Sequence, residues 1–241
     1  MKSGFNLLFV DEDLLVVEKK AGLLTLADRH QKKLPNLRDL LAEKYGEMFV
    51  VHRLDKDTSG ILIFARNAAA HRSLSMQFEH RSIHKVYQAF VDGQLSPSEG
   101  EIRKGIAPHP TIGGKMIISN KGKESITLYK ELEKYKGFSL LEVRILTGRT
   151  HQIRIHLSAL GHPLLVDPLY GQRKEFYLSQ IKGRNYNKGK GQEEKPFIHR
   201  VPLHAKAIEF SHPRSQERIS LEVEPPKDFR ALQKQLRKWA T

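Results

Sequence analysis

ESITLYKELEKYKGFSLLEVRIL, residues 124–146, is the stretch on which the fold turns. Its two arms, ESITLYKELEKY and FSLLEVRIL, both alternate apolar and polar residues, the period of a strand with one buried face. Lys136 and Gly137 between them supply a turn, so the stretch reads as a β-hairpin and antiparallel pairing as the organising element.

Working upstream, KVYQAFVDG (85–93) and ILIFARN (61–67) are strand runs, and Asn67 is placed to cap a helix that turns Leu74 and Phe78 inward. LPNLRDLLAEKYG (34–46) has Asn36 as an N-cap, Leu37, Leu40 and Leu41 on one face, and Gly46 as a stop. FNLLFVDEDLLVVEKKAG (5–22) predicts a hairpin joined at Asp11 to Asp13 and running into a turn at Gly22. Downstream, the turn TGRT leads into HQIRIHLSALG (151–161), where Ile153, Leu157 and Leu160 have helical spacing and Gly161 ends the run. AIEF and RISLEV are late strands, and the tail places Phe229, Leu232, Leu236 and Trp239 on one helical stripe that suits core packing. Residues 96–124 predict a long loop with short strands. Hairpins and helices in this interrupted order imply an α+β fold, a mostly antiparallel mixed sheet flanked by helices and loops, in a single domain over 1–241.

Lys and Arg number 41 against 27 Asp and Glu, a formal net charge of +14. Such an excess favours a polyanionic partner, nucleic acid first, although an anionic membrane surface or simple self-repulsion would also use it. Residues 172–196 concentrate Lys and Arg with Tyr177 and Tyr186 interleaved; this basic insertion reads either as a mobile solvated segment or as an arm that joins charge to stacking surfaces. The absence of cysteine excludes disulfides and thiol chemistry. The opening MKSGFNLLFVDEDLLVV meets acidic residues too early for a signal peptide, and no apolar run reaches membrane-spanning length, so a soluble cytoplasmic protein is expected.

HRLDKDTSG (52–60) sets the carboxylate of Asp55 on a loop that feeds a buried strand, where it could do chemistry or merely cap a turn. A second cluster, Arg149, His151, Gln152, Arg154 and His156, stands at a turn-to-helix junction suited to a phosphate or a buried carboxylate, or else forms a basic face in water. His151 and His156 are five residues apart, poor spacing for one metal ion, and no metal is expected. No Walker loop, dinucleotide fingerprint or nucleophile elbow is present.

HRLDKDTSGILIFARN, then KVYQAFVDG, then GRTHQIRIHLSALGHPLLVDPLYG, in that order and spacing, resembles the RluA family of RNA pseudouridine synthases. LLVVEKKAGLLT resembles that family's first motif and PLHAKAIEFSHP its closing segment, so the likeness runs from about residue 5 to 225. It departs at Lys20, where the family usually has proline, and at Val166, where glycine is common; no separate S4-type RNA-binding domain is expected before Phe5.

The resemblance implies a pseudouridine synthase catalytic fold and an isomerase that detaches uracil from C1′ of a uridine and rejoins it through C5, in structured tRNA or ribosomal RNA, with no cofactor. Asp55 matches the catalytic aspartate, Arg149 the basic residue that pairs with it, Tyr87 the aromatic that packs on the target base, and Arg53 the arginine associated with base extrusion. A base stacked in RNA must be flipped out at a cost of roughly a few kcal/mol, which an adjacent cation can offset. RNA contacts are expected from Arg53, Lys85, Arg154, Lys174, Lys182 and Arg184, with Arg103, Lys104, Lys115, Lys121 and Lys123 as further phosphate candidates. RNA is the expected partner, no membrane is expected, and the protein is expected to be a monomer.

Overall fold

The computed structural model describes residues 4–28, 33–187 and 193–241. Residues 188–192, with Lys188 and Lys190 of the basic insertion, lie outside the described residues. Along the chain come β1 (Phe5–Val10), β2 (Leu14–Lys19), α1 (Leu37–Tyr45), β3 (Phe49–Val50), β4 (Ser59–Ala65), α2 (Ala68–Glu79) and β5 (His84–Asp92). Then follow β6 (Glu99–Arg103), β7 (Ile106–Pro108), β8 (Met116–Ile118), β9 (Ile126–Tyr135), β10 (Phe138–Ile145) and α3 (Gln152–Ala159). The short α4 (Ser179–Lys182), β11 (Leu203–Ser211), β12 (Arg218–Glu222) and α5 (Lys227–Trp239) complete the described elements.

The chain divides into two compact units, residues 1–87 with 204–224, and residues 88–203 with 225–241. The boundary falls inside β5, after Tyr87.

In the first unit the sheet order is β1-β2-β4-β11, with β12 on β11 and β3 on β4. The expected hairpin at its start pairs Phe5 with Lys19 and Val10 with Leu15. Lys20 donates its backbone N–H to Gly4 O at 2.9 Å, continuing that pairing with a bond that the family's usual proline could not make. β4 is buried on both faces, as its continuous apolar run requires. Leu14, Val16, Ile61 and Ile63 pack with Ala70 and Leu74 of α2 and with Ile208 and Phe210 of β11. Asn36 and Asn67 cap α1 and α2 as expected, their side chains accepting from the N–H groups of Asp39 and Ala70. The β4–β11 pairing is parallel, His204 opposite Ser59 and Ala205 opposite Gly60.

In the second unit the order is β5-β10-β9-β6, and β7 and β8 form a separate two-stranded sheet. The hairpin of residues 124–146 is present, turning at Gly137 with φ +80°. A register shift at Leu140/Leu141 sets those residues opposite Glu133 and Glu131 and skips Leu132, which is 41% exposed on the outer face of β9. Phe90, Tyr135, Phe138, Leu140, Val166 and Phe176 pack against Phe229, Leu232 and Leu236 of α5. Val166 is fully buried there, so the departure from glycine fills core volume. Phe176 and Ile198 pin both ends of the basic insertion to this core.

Candidate active site

The loop between β3 and β4 carries Asp55, and hydrogen bonds tie down the backbone on both sides of that residue. Leu54 is buried; its N–H donates to Thr25 Oγ1 at 3.2 Å and its carbonyl accepts from the same hydroxyl at 2.8 Å. Lys56 O accepts from Gly22 N at 2.9 Å and from Lys19 Nζ at 2.9 Å. Thr58 N–H closes the turn onto Asp55 O at 3.2 Å. With Leu54 anchored inward, Arg53 is exposed and Asp55 half-buried, so a short loop offers a cation and a carboxylate from a fixed backbone.

Lys19 is the residue that sequence reasoning missed. It is fully buried at the end of β2, and its ammonium also donates to Leu23 O at 2.8 Å and Lys20 O at 3.0 Å. A charge so placed is tolerated because carbonyls replace its water. The available signal was its parity: Leu15, Val17 and Lys19 alternate on one face of the strand.

Gly60 explains the TSG that follows. Its φ is +119°, and a Cβ there would stand 2.2 Å from Ala205 O, so only glycine lets β4 lie against β11 at this point. Ser59 Oγ lies 3.0 Å from His204 Nδ1, fastening the same crossing.

Tyr87 and Asp55 belong to the same unit. Tyr87 is buried, and burial together with the Asp55 charge raises its phenol well above the usual range, so it presents a neutral ring beside a carboxylate. His52 accepts from Ile63 N–H through Nε2 at 3.0 Å and lies 4.8 Å from the Phe78 ring centroid. Burial, and after it the charge of Lys85, push His52 down to about 3, which fixes it as a neutral acceptor. Lys85, over the Phe78 ring at 5.2 Å, is brought down to about 8 by burial.

The second unit holds the GRTHQ cluster. Arg149 is exposed; its N–H donates to Gln152 Oε1 at 3.0 Å and its Nε reaches Glu124 O at 3.4 Å. Gln152 is buried and staples the turn to β9, donating to Ile126 O at 2.9 Å and Thr127 Oγ1 at 3.0 Å. His151 takes the left-handed conformation, φ +56°, which is costly for a residue with a Cβ, and Tyr170 OH holds its Nδ1 at 2.8 Å.

Two expectations about this cluster are corrected. It is not a basic face in water, since Gln152 through Leu157 are all buried. Nor is Arg154 offered to solvent as an RNA contact would be: it is 6% exposed, and its guanidinium grips Asp167 in a bidentate pair at 2.7 and 2.8 Å. His156, bonded to Thr127 Oγ1 and Lys104 O, is pushed down by burial and belongs to the same interior.

Of the other basic candidates, Arg103 is already engaged by Glu101 and Glu124. Lys104, Lys121, Lys123, Lys174 and Arg184 are exposed, whereas Lys115 is half-buried. Lys182, also half-buried, lies over the Trp239 ring at 5.4 Å. Among the described residues one group has metal-ligand spacing, Asp11, Asp13 and His212, with atoms within 4.8 Å of one another. Its oxygens bind the N–H groups of Asp13 and Leu14, the His212 ring and the Arg214 guanidinium, which suits fastening two turns better than holding an ion. No helix among the described residues is long and apolar enough to cross a membrane.

The profile of the RNA pseudouridylate synthase family matches residues 13–159, which include Asp55, Tyr87 and Arg149. The chain belongs to the RluA family of RNA pseudouridine synthases, isomerases that act on RNA. It is 35% identical over 244 residues to the ribosomal large subunit pseudouridine synthase D of Zymomonas mobilis, covering 96% of this chain and 72% of that one. It is 36% identical over 230 residues to the dual-specificity RNA pseudouridine synthase RluA of Vibrio parahaemolyticus, covering 93% and 84%. Among solved structures, human RNA pseudouridylate synthase domain containing 4 shares the fold at a TM-score of 0.74 with 24% identity, over 96% of this chain and 93% of that one. Human RNA pseudouridylate synthase domain containing 1 superposes at 0.68 with 29% identity, over 94% and 87%.

Proposed function

We propose that this isomerase converts uridines of large-subunit ribosomal RNA to pseudouridine, with Asp55 as the catalytic carboxylate. The observation that carries the assignment is the pairing, within one unit, of a half-buried Asp55 on a pinned loop with a buried neutral Tyr87 that feels its charge. In this reading Asp55 acts on the uridine while uracil leaves C1′ and returns through C5, and Tyr87 supplies the flat face that a flipped base needs, worth about 1–3 kcal/mol per stacked base. Arg53, exposed two residues before Asp55, offsets the cost of extruding the base. Arg149 favours the ionised carboxylate, a role that rests on the motif match alone.

Lys85, Lys174, Lys182 and Arg184 hold RNA phosphates, joined by Lys104, Lys115, Lys121 and Lys123. The protein acts as one catalytic domain, as a monomer in the cytoplasm, and needs no cofactor. Ribosomal RNA is favoured because the Zymomonas relative is named for the ribosomal large subunit; transfer RNA is the second reading, raised by the dual-specificity relative from Vibrio.

The test is tritium release from RNA labelled at uridine C5, with the wild type beside Asp55→Asn. Release by the wild type and none by the variant, both binding RNA equally, is the expected result. Release by both would remove Asp55 from the chemistry. No release by either, with binding intact on ribosomal and transfer RNA, would leave a silent RNA-binding protein.

A further inference from the structure

Helix α5 turns Phe229, Leu232 and Leu236 into the core of the second unit, and every exposed residue of the helix is a cation: Lys227, Arg230, Lys234, Arg237 and Lys238. At 3.6 residues per turn these five fall within an arc of about 100°, opposite the core stripe. A solvated face ordinarily mixes signs so that neighbours three and four apart attract one another; here Lys227 and Arg230, Arg230 and Lys234, and Lys234 and Lys238 repel.

Position sharpens the point. Cations in the last turn complement the helix dipole, which accounts for Arg237 and Lys238, but Lys227 and Arg230 stand at the opposite end, where the same dipole disfavours them. Arg237 is bound to Glu133 at 2.7 Å through Nε and 2.5 Å through a terminal nitrogen. Among the described residues, Lys227, Arg230, Lys234 and Lys238 have no carboxylate within ion-pair distance.

The row continues beyond the helix. Lys238 and Lys182 lie 5.0 and 5.4 Å from the Trp239 ring centroid, so α4 brings its cation to the same end of the helix. Successive steps from Lys227 to Arg230, Lys234 and Lys238 rise by about 4.5 to 6 Å along the axis, short enough for consecutive phosphates of one strand. A membrane is the poorer fit, since an interfacial helix needs apolar residues free to enter lipid and those of α5 are committed to the core.

We propose that Lys227, Arg230, Lys234 and Lys238, extended by Lys182, form a rail that grips the sugar-phosphate backbone of substrate RNA. The choice of RNA as the polyanion rests on the pseudouridine synthase reading. Four variants combined in one chain test it, Lys227→Gln, Arg230→Gln, Lys234→Gln and Lys238→Gln. A control of equal charge change combines Arg38→Gln, Lys44→Gln, Arg144→Gln and Arg218→Gln.

Binding of an unmodified large-subunit ribosomal RNA transcript is followed against salt, with thermal melting as the check on folding. Four lost phosphate contacts should flatten the slope of log K against log salt by about 3 to 4, while the control keeps the wild-type slope. The rail variant should melt no lower than the wild type, because repulsion is relieved. An unchanged slope, a control that falls as far, or a rail variant that loses anionic vesicles but not RNA would each overturn the proposal. Tritium release by the wild type is measured in parallel. A flattened slope without release would retire the enzyme reading and keep the rail, and release with an unchanged slope would do the reverse.

Discussion

Lys85 carries an amine that burial brings down to about 8, against 10.5 for the free side chain. Burial penalises its charge, and an RNA phosphate beside it would restore that charge. If Lys85 holds phosphate as proposed, RNA affinity falls as pH rises through about 8, where the free protein loses this cation, and binding above that pH takes up a proton. Lys85→Arg keeps a charge throughout and is expected to flatten the profile; fluorescence titrations from pH 6.5 to 9.5 read it, and parallel profiles for the two proteins would remove Lys85 from the RNA contacts. The sign for stability is separate. The unfolded chain binds more protons here between about 8 and 10.5, so this one group makes the fold more stable as pH rises across that window. At the same scale some of the proposed site was legible and some was not. Asp55, Tyr87 and Arg149 stand in contiguous motifs, whereas Lys19 acts through three carbonyls, one of them 37 residues away, and no local pattern announces a buried ammonium.

Helix α3 shows how an element can be read correctly and its surroundings missed. Its spacing and its end at Gly161 follow from the apolar period, but burial of its polar face depends on Asp167, thirteen residues beyond Arg154, and on Thr127 in β9. Arg154→Ala would leave the Asp167 carboxylate buried without its cation, and a broken buried pair of this kind costs about 3–5 kcal/mol. The variant is expected to melt several degrees lower and to keep the salt slope of RNA binding in whatever fraction stays folded. A reduced slope at full stability would return Arg154 to the RNA contacts. The antiparallel hairpins and the caps of α1 and α2 were legible because each is settled within a dozen or two neighbouring residues. The parallel pairing of β4 with β11 joins residues 145 apart, a distance over which period and turn chemistry carry no signal.

Across the whole molecule both units are discontinuous: the first needs residues 204–224 and the second residues 225–241. A chain stopped after residue 203 lacks β12, α5 and nearly all of β11, and with them Phe210, Phe229, Leu232 and Leu236 of the two cores. It is expected to lose cooperative melting in both units, read by calorimetry and by hydrogen exchange at β4; a cooperative transition in either would show that unit to be complete without its late strand or helix. The same discontinuity orders events during synthesis. At 5–20 residues per second, on the order of 10 s separates the making of Tyr87 from that of Glu224. Throughout that interval β4 has no β11 beside Ser59 and Gly60, although the partners that pin the Asp55 loop, Lys19, Gly22 and Thr25, are already made. A nascent chain therefore sits tethered to a ribosome with its Asp55 loop already able to fasten to Lys19, Gly22 and Thr25, while the strand that seats against Gly60 is still to be made.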